Sequence, residues 1–215
     1  MDLIIFSKTL LNVYNYLETI TKAIEKLVNA SVVNTCYRCG YRNSTIEQSN
    51  KLIDILDKKQ KLINLKVICE NALLELDDED KKILCLYYFD NLKAEKIASL
   101  FDICSRTVFR KKQKAIQNFS FRLLANGYDL DYFKKRYGDE KWLSDLYCYT
   151  RESEIKEQRE IEICGNAKSC NLSSDEISES NIGRDDSSKG KIIMKLLGDI
   201  KREMGCKKVA VCFDY

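Results

Sequence analysis

The chain is predicted to be all-α: an N-terminal helical hairpin, a domain of short helices around a tight turn, and a partly disordered C-terminal tail. Three observations lead there. Apolar residues recur at the i, i+3, i+4 spacing of amphipathic helices over residues 3–29 and 46–75. Three shorter helical patterns follow within 76–124, the first opening on a run of acids. Beyond residue 150 the composition turns acidic and polar, and large apolar groups become sparse.

In the first segment Ile4, Leu10, Leu11, Tyr14, Leu17, Ile20, Ile24, Leu27 and Val28 mark one face. In the second the pattern is Ile46, Leu52, Ile53, Leu56, Leu62, Ile63, Val67, Ile68 and Leu74. The stretch between them, "NASVVNTCYRCGYRNS", is rich in loop residues, so 1–75 is expected to be an antiparallel hairpin. Its long seam, with Leu10, Leu17, Ile24, Leu52, Leu56 and Ile63, predicts either a homodimer through the hairpin or packing on the aromatics of 128–149.

Residues 76–127 form the next unit. The acids Asp77, Asp78, Glu79 and Asp80 suit a helix N-terminus, where exposed N–H groups and the helix dipole favour negative charge. Helices are expected over "DDEDKKILCLYYF", over about 92–100, and over 105 to about 124. The aromatic-dense "YDLDYFKKRYGDEKWLSDLYCY", within 128–150, predicts one or two helices packing back on what precedes them. Residues 151–190 hold six basic and ten acidic residues and read as a polar linker, disordered from Gly165 to Lys189. Residues 191–215 read as a short amphipathic helix and a strand.

Composition excludes several kinds of function. The 215 residues suffice for one or two small domains. There is no histidine, so neither Ser-His nor Cys-His catalysis nor a His-ligated metal is open to this chain. No glycine-rich phosphate loop or nucleophile motif occurs, and the expectation is a non-enzyme without a cofactor. Cys36 and Cys39 in "CYRCG" make one half of a zinc knuckle. A structural site needs a second pair, and the remaining cysteine pairs are spaced too widely, so the expectation is no metal. No run of about 18 apolar residues is present and the start lacks a basic leader, which predicts a cytoplasmic protein without a membrane span and with reduced thiols.

The net charge of +3 does not announce a nucleic-acid binder, but its distribution does. Residues 81–125 carry ten basic side chains against three acidic ones, a local net of +7. Within "EKIASLFDICSRTVFRKKQKAI" (95–116), Ala98 is small enough for another helix to approach, Ile103 is an apolar plug in a short turn, and Ser105 is the expected N-cap of the following helix. On that helix Val108, the stem of Lys112, Ala115, Ile116 and Phe119 share an inner face. Arg106, Phe109, Arg110 and Gln113, with Lys114 at the edge, share the outer one. A short, basic-faced helix of this kind fits a DNA major groove.

The stretch "LDDEDKKILCLYYFDNLKAEKIASLFDICSRTVFRKKQKAI" (76–116) resembles region 4 of the sigma-70 family and the related helix-turn-helix of phage-type regulators, over about residues 76–124. "EKIASLFDI" matches the family's "EIA..LGIS" pattern, and "SRTVFRKKQKAI" its recognition helix. Asp102 stands where the family has glycine and Cys104 where it has serine. Asp tolerates the left-handed conformation of such a turn better than most residues. The chain has no aromatic-rich region for melting a promoter, so the resemblance implies a sigma-like regulator rather than a complete sigma factor. It implies double-stranded DNA as partner, with RNA polymerase as a second one. Arg106, Phe109, Arg110 and Gln113 would read bases; Lys93, Ser105, Thr107, Lys111 and Lys114 would hold phosphates. The alternative is a helical interaction module that contacts polymerase or another transcription protein without specific DNA contact.

Overall fold

Asp2 starts the first helix by accepting the backbone N–H of Ile4 in its carboxylate at 2.8 Å, which satisfies one of the orphan donors of a helix N-terminus. Its own N–H is donated to the Tyr147 hydroxyl at 2.7 Å, so the start of the chain is anchored to a segment 145 residues away. The computed structural model describes residues 2–37, 45–167 and 186–203; side chains are described within 2–30, 46–156 and 189–202, apart from Gln48 and Lys201.

The described residues form eight α-helices and no strand. They are α1 (Leu3–Tyr37), α2 (Thr45–Leu74), α3 (Asp78–Leu84), α4 (Ala94–Phe101), α5 (Ser105–Ala125), α6 (Leu130–Tyr137), α7 (Lys141–Ala167) and α8 (Asp186–Glu203), with a π-helical turn, Cys85–Phe89, running on from α3. The all-α prediction holds. No described helix is long and apolar enough to cross a membrane.

α1 and α2 run antiparallel: Tyr14 donates to Glu70 at 3.0 Å, Lys66 reaches Glu18 at 3.0 Å, and Lys59 reaches Glu25 at 3.6 Å. The α1 face is the predicted one, with Leu10, Leu17, Ile20, Ile24 and Leu27 buried. The α2 face is so only in part. The predicted Leu62 and Ile68 turn inward together with Ile55, Leu65, Cys69, Ala72 and Leu73, whereas the predicted Ile46, Ile53, Leu56, Val67 and Leu74 are exposed. α2 carries apolar residues on two opposite faces, and spacing alone does not say which one meets α1. α1 also continues to Tyr37 through residues expected to form a loop. Asn and Ser lower helix propensity only modestly, and a helix already several turns long extends at little cost.

The hairpin is not isolated. α1 packs on α2, α5, α7 and α8, and one apolar core joins its buried face to Phe119 and Leu123 of α5, Phe133 and Tyr137 of α6, Leu143 and Leu146 of α7 and Leu196 and Ile200 of α8. The aromatics of 128–149 pack on the hairpin: Phe6 lies 4.4 Å from the Phe133 ring and 6.5 Å from that of Tyr147. Polar groups that this packing covers are paired. Ser120 donates to Ser7 at 2.8 Å, Lys8 pairs with Glu154 at 2.5 Å, and the buried Glu140 accepts Lys61 and the Trp142 indole, both at 3.1 Å.

α7 runs through residue 167 and α8 begins at 186, so residues 151–167 and 186–190, expected to lie in a linker, are helical. The predicted amphipathic helix of the last segment is α8, docked through Ile193, Leu196, Leu197 and Ile200. The strand expected near the end, and the linker residues 168–185, lie outside the described residues.

The surface clasp of the hairpin has a pH signature. Lys22 and Lys66 flank Glu18 and bring its carboxyl down from an ordinary 4.5 to about 2. A depressed carboxyl stabilises the fold above its unfolded value, and the contribution disappears as pH falls through the folded one. Between pH 4.5 and 2 the wild-type chain is expected to lose this part of its stability. In Glu18→Gln, acid titration followed by circular dichroism should show a flatter loss over the same window.

Candidate nucleic-acid interface

The segment singled out in the sequence folds around a small core of its own. Ala94, Ile97 and Ala98 of α4 and Val108 of α5 are buried together, with Leu86, Tyr87, Leu92, Phe101 and Ile103 packed around them. Ala98 leaves room for α5, and Ile103 fills the corner between the helices. Asp102 closes α4 in the left-handed conformation (φ 50°, ψ 46°), and the next N–H, from Ile103, donates to the Ala98 carbonyl at 3.0 Å. Asn91 takes a second left-handed position (φ 51°) in the turn that leads into α4. Asp and Asn are the side chains that tolerate this conformation best, so both turns form without glycine.

One expectation is corrected at the start of α5. Cys104, not Ser105, is the N-cap residue, with extended backbone and no side-chain capping hydrogen bond; Ser105 is the first helical residue and half-buried. The exposed Cys104 thiol lies 3.1 Å from the Thr107 hydroxyl, which lowers its pKa. Burial does the reverse at Cys69, raising it to about 12. At its far end α5 is closed by Gly127 (φ 79°), with Tyr128 N–H donating to Leu123 and Gly127 N–H to Leu124.

Along α5 the predicted division of faces is found. Val108, Lys112, Ala115, Ile116 and Phe119 are buried, while Arg106, Arg110, Gln113 and Lys114 are exposed and Phe109 is 47% exposed. Lys112 is inside by more than its stem. Its ammonium donates to the Tyr87 hydroxyl at 3.0 Å and sits 4.1 Å from that ring, so its charge does not belong to the outer face. No carboxylate among the described residues pairs with Arg106 or Arg110. The predicted phosphate contacts are less uniform. Lys93 is exposed at the start of α4, and Thr107 is half-buried beside Cys104.

Lys111 forms an ion pair with Glu79 in the first turn of α3, which holds the Glu79 carboxyl below its ordinary range. Asp80, one residue on, is buried and accepts Asn118 of α5 at 2.5 Å. Two of the four acids read as helix N-terminal charges therefore also bind α5, a tertiary role that their local setting did not disclose. Comparison with protein-family models, with curated proteins and with solved structures finds no match to this chain.

Two residues missed in the sequence belong to the same stripe. Gln117 is exposed one turn beyond Gln113, and Phe121, 64% exposed, lies a further turn along. The spacing 106, 110, 113, 117 was the signal available for Gln117. Cys36 lies in α1 with its side chain outside the described set, and Cys39 lies outside the described residues altogether. Among the described residues, no group of three or more acidic or cysteine side chains could hold a metal.

Proposed function

We propose that the chain is a sequence-specific DNA-binding regulator whose α4–turn–α5 unit works as a helix-turn-helix, with α5 as the element that enters the major groove. The observation that carries this reading is the cationic and amide stripe of Arg106, Arg110 and Gln113, unpaired among the described residues, on the exposed face of a helix whose opposite face is locked into the core. A rigid helix is narrow enough for the major groove, and bidentate guanidinium and amide groups are the side chains that distinguish guanine and adenine there. Lys114 at the edge and Lys93 at the start of the preceding helix supply cations for the flanking phosphates. The resemblance of 76–116 to sigma region 4 supports the same reading. Neither a nucleophile nor a general acid–base pair enters it, and the proposal is not enzymatic. The test is selection of duplexes from a random pool by the full chain, followed by anisotropy titration of the selected site against a scrambled one. Enrichment of one motif supports the proposal, and an unenriched pool contradicts it.

A second reading has an observation of its own. Phe121 and Leu124 continue the outer stripe as exposed apolar residues near the C-terminal end of α5. They suit a protein partner better than a phosphate backbone. A regulator that touches RNA polymerase with this end of α5 while the first turns face DNA is compatible with both.

The Glu79–Lys111 pair leads to a prediction within this reading. Lys111 can meet a phosphate only by leaving Glu79. Glu79→Gln is therefore expected to raise affinity for every duplex several-fold and to steepen the salt dependence by about 0.9 in the log–log slope, the value of one further phosphate contact. The ratio of selected to scrambled site should stay constant. An unchanged slope, measured by titration over a range of salt, would place Lys111 outside the interface.

A further inference from the structure

The outer face of α2 holds an apolar stripe with no cover among the described residues. Ile46, Ile53, Gln60, Val67 and Leu74 follow one another at intervals of seven, and Ile46, Ile53 and Leu74 are 73%, 62% and 70% exposed. Leu56 and the half-buried Ile63, three residues after Ile53 and Gln60, hold the middle of the companion line between Ser49 and Glu70. The stripe lies opposite the side that α2 turns to α1 and extends about 42 Å at the helical rise of 1.5 Å per residue.

A strict seven-residue repeat is a specific demand. An undistorted helix drifts by about 20° per heptad from such a line, so a repeat kept over four intervals fits a second helix winding around the first better than a flat or irregular partner. α2 already meets a helix in this way on its inner side. Ile55, Leu62 and Cys69 repeat by seven against Leu10, Leu17 and Ile24 of α1, which repeat by seven themselves.

We propose that the outer face of α2 pairs in parallel with the α2 of a second copy of this chain, as a two-stranded coiled coil. Three features choose that occupant. β-branched residues occupy three of the five positions of the first seam line, Ile46, Ile53 and Val67; with leucine on the second line, as at Leu56 though not at Ile63, such residues favour two parallel strands. Gln60 interrupts the seam at its middle, donating to Asn64 of its own helix at 2.9 Å. Against an apolar helix the rest of its amide would be desolvated without a partner; in parallel register it faces the same amide of the other copy, and each can donate and accept. The flanking lysines meet no like charge: Lys59 and Lys66 are held by Glu25 and Glu18 of their own hairpin, and in this register they face Asn64 and Asn71 across the seam. Glu70 falls on the second seam line and is drawn to its own hairpin by the Tyr14 hydroxyl at 3.0 Å and by Lys66 at 3.8 Å.

The experiment uses the full chain without DNA, which separates it from the proposed function. Sedimentation equilibrium at tens of micromolar should find a dimer. Ile53→Glu and Ile53→Lys should each sediment as a monomer with undiminished helicity, since the side chain is exposed in the folded chain. An equimolar mixture of the two should sediment as a dimer again, because parallel pairing sets residue 53 against residue 53. Val67→Glu and Val67→Lys repeat the experiment at a second level of the seam, should either change at 53 reduce helicity. A wild-type monomer, including one that assembles only with another protein, would overturn the proposal. So would substituted chains that stay dimeric, or a mixture that remains monomeric.

Discussion

Val108→Asp is expected to melt α4 and the start of α5 while most of the molecule stays folded. Val108 is 1% exposed, and its neighbours are Ala94, Ile97 and Ala98, ringed by Leu86, Tyr87, Leu92, Phe101 and Ile103. None of these side chains can answer a carboxylate except through the Tyr87 hydroxyl, which already receives Lys112. An ionised group buried there without adequate pairing belongs to the small class of substitutions that cost roughly 4 kcal/mol or more. The small core around Val108 is distinct from the main one, which runs through α1, α2 and α5 to α8. The damage should therefore stay local. Hydrogen exchange followed by mass spectrometry should show peptides within 86–108 losing protection, while those of α1 and α7 keep it. DNA binding should disappear with the motif. Unchanged protection over 94–108 would mean that this packing does not hold α4 in place.

Arg106→Ala and Arg110→Ala are expected to erase discrimination between sequences while the fold persists. Both side chains are exposed and neither pairs with a described carboxylate, so their removal leaves no buried group unsatisfied. They stand one helical turn apart, which lets them reach neighbouring base pairs. A guanidinium bidentate to guanine discriminates by about 1–3 kcal/mol, so each substitution should lower the ratio of selected to scrambled affinity roughly 5- to 150-fold. Affinity for the scrambled duplex should change far less, because it depends on the sum of phosphate contacts. Thermal unfolding of both variants should match wild type. Should both bind every duplex as wild type does, the stripe is a solvated helix face and nothing more.

How much of this was readable in the residues differs from helix to helix. The two faces of α5 were legible because a half-buried helix states its orientation through a single apolar stripe, here Val108, Ala115, Ile116 and Phe119. The Ala98–Ile103 turn was legible for a similar reason: few side chains fit that corner. α2 was read correctly only at Leu62 and Ile68, because it has two stripes and choosing between them requires knowing what stands on each side. The extensions of α1 to residue 37 and α7 to residue 167 were missed because polar composition resembles that of a loop, although propagation costs a helix little. The pairing of Lys111 with Glu79 and of Asn118 with Asp80 depends on α3 packing across α5, a contact between residues more than 30 positions apart that no local pattern encodes.

The most direct test of the DNA-binding account is the salt dependence of the full chain on its selected duplex beside a scrambled duplex of equal length. Phosphate contacts release counterions, and log affinity should fall linearly with log salt at about 0.9 per phosphate neutralised on both duplexes. The selected duplex should stay tighter throughout, and that margin should vanish in the Arg106→Ala, Arg110→Ala double variant. Binding that is indifferent to salt, or equal on the two duplexes at every salt concentration, would contradict the account.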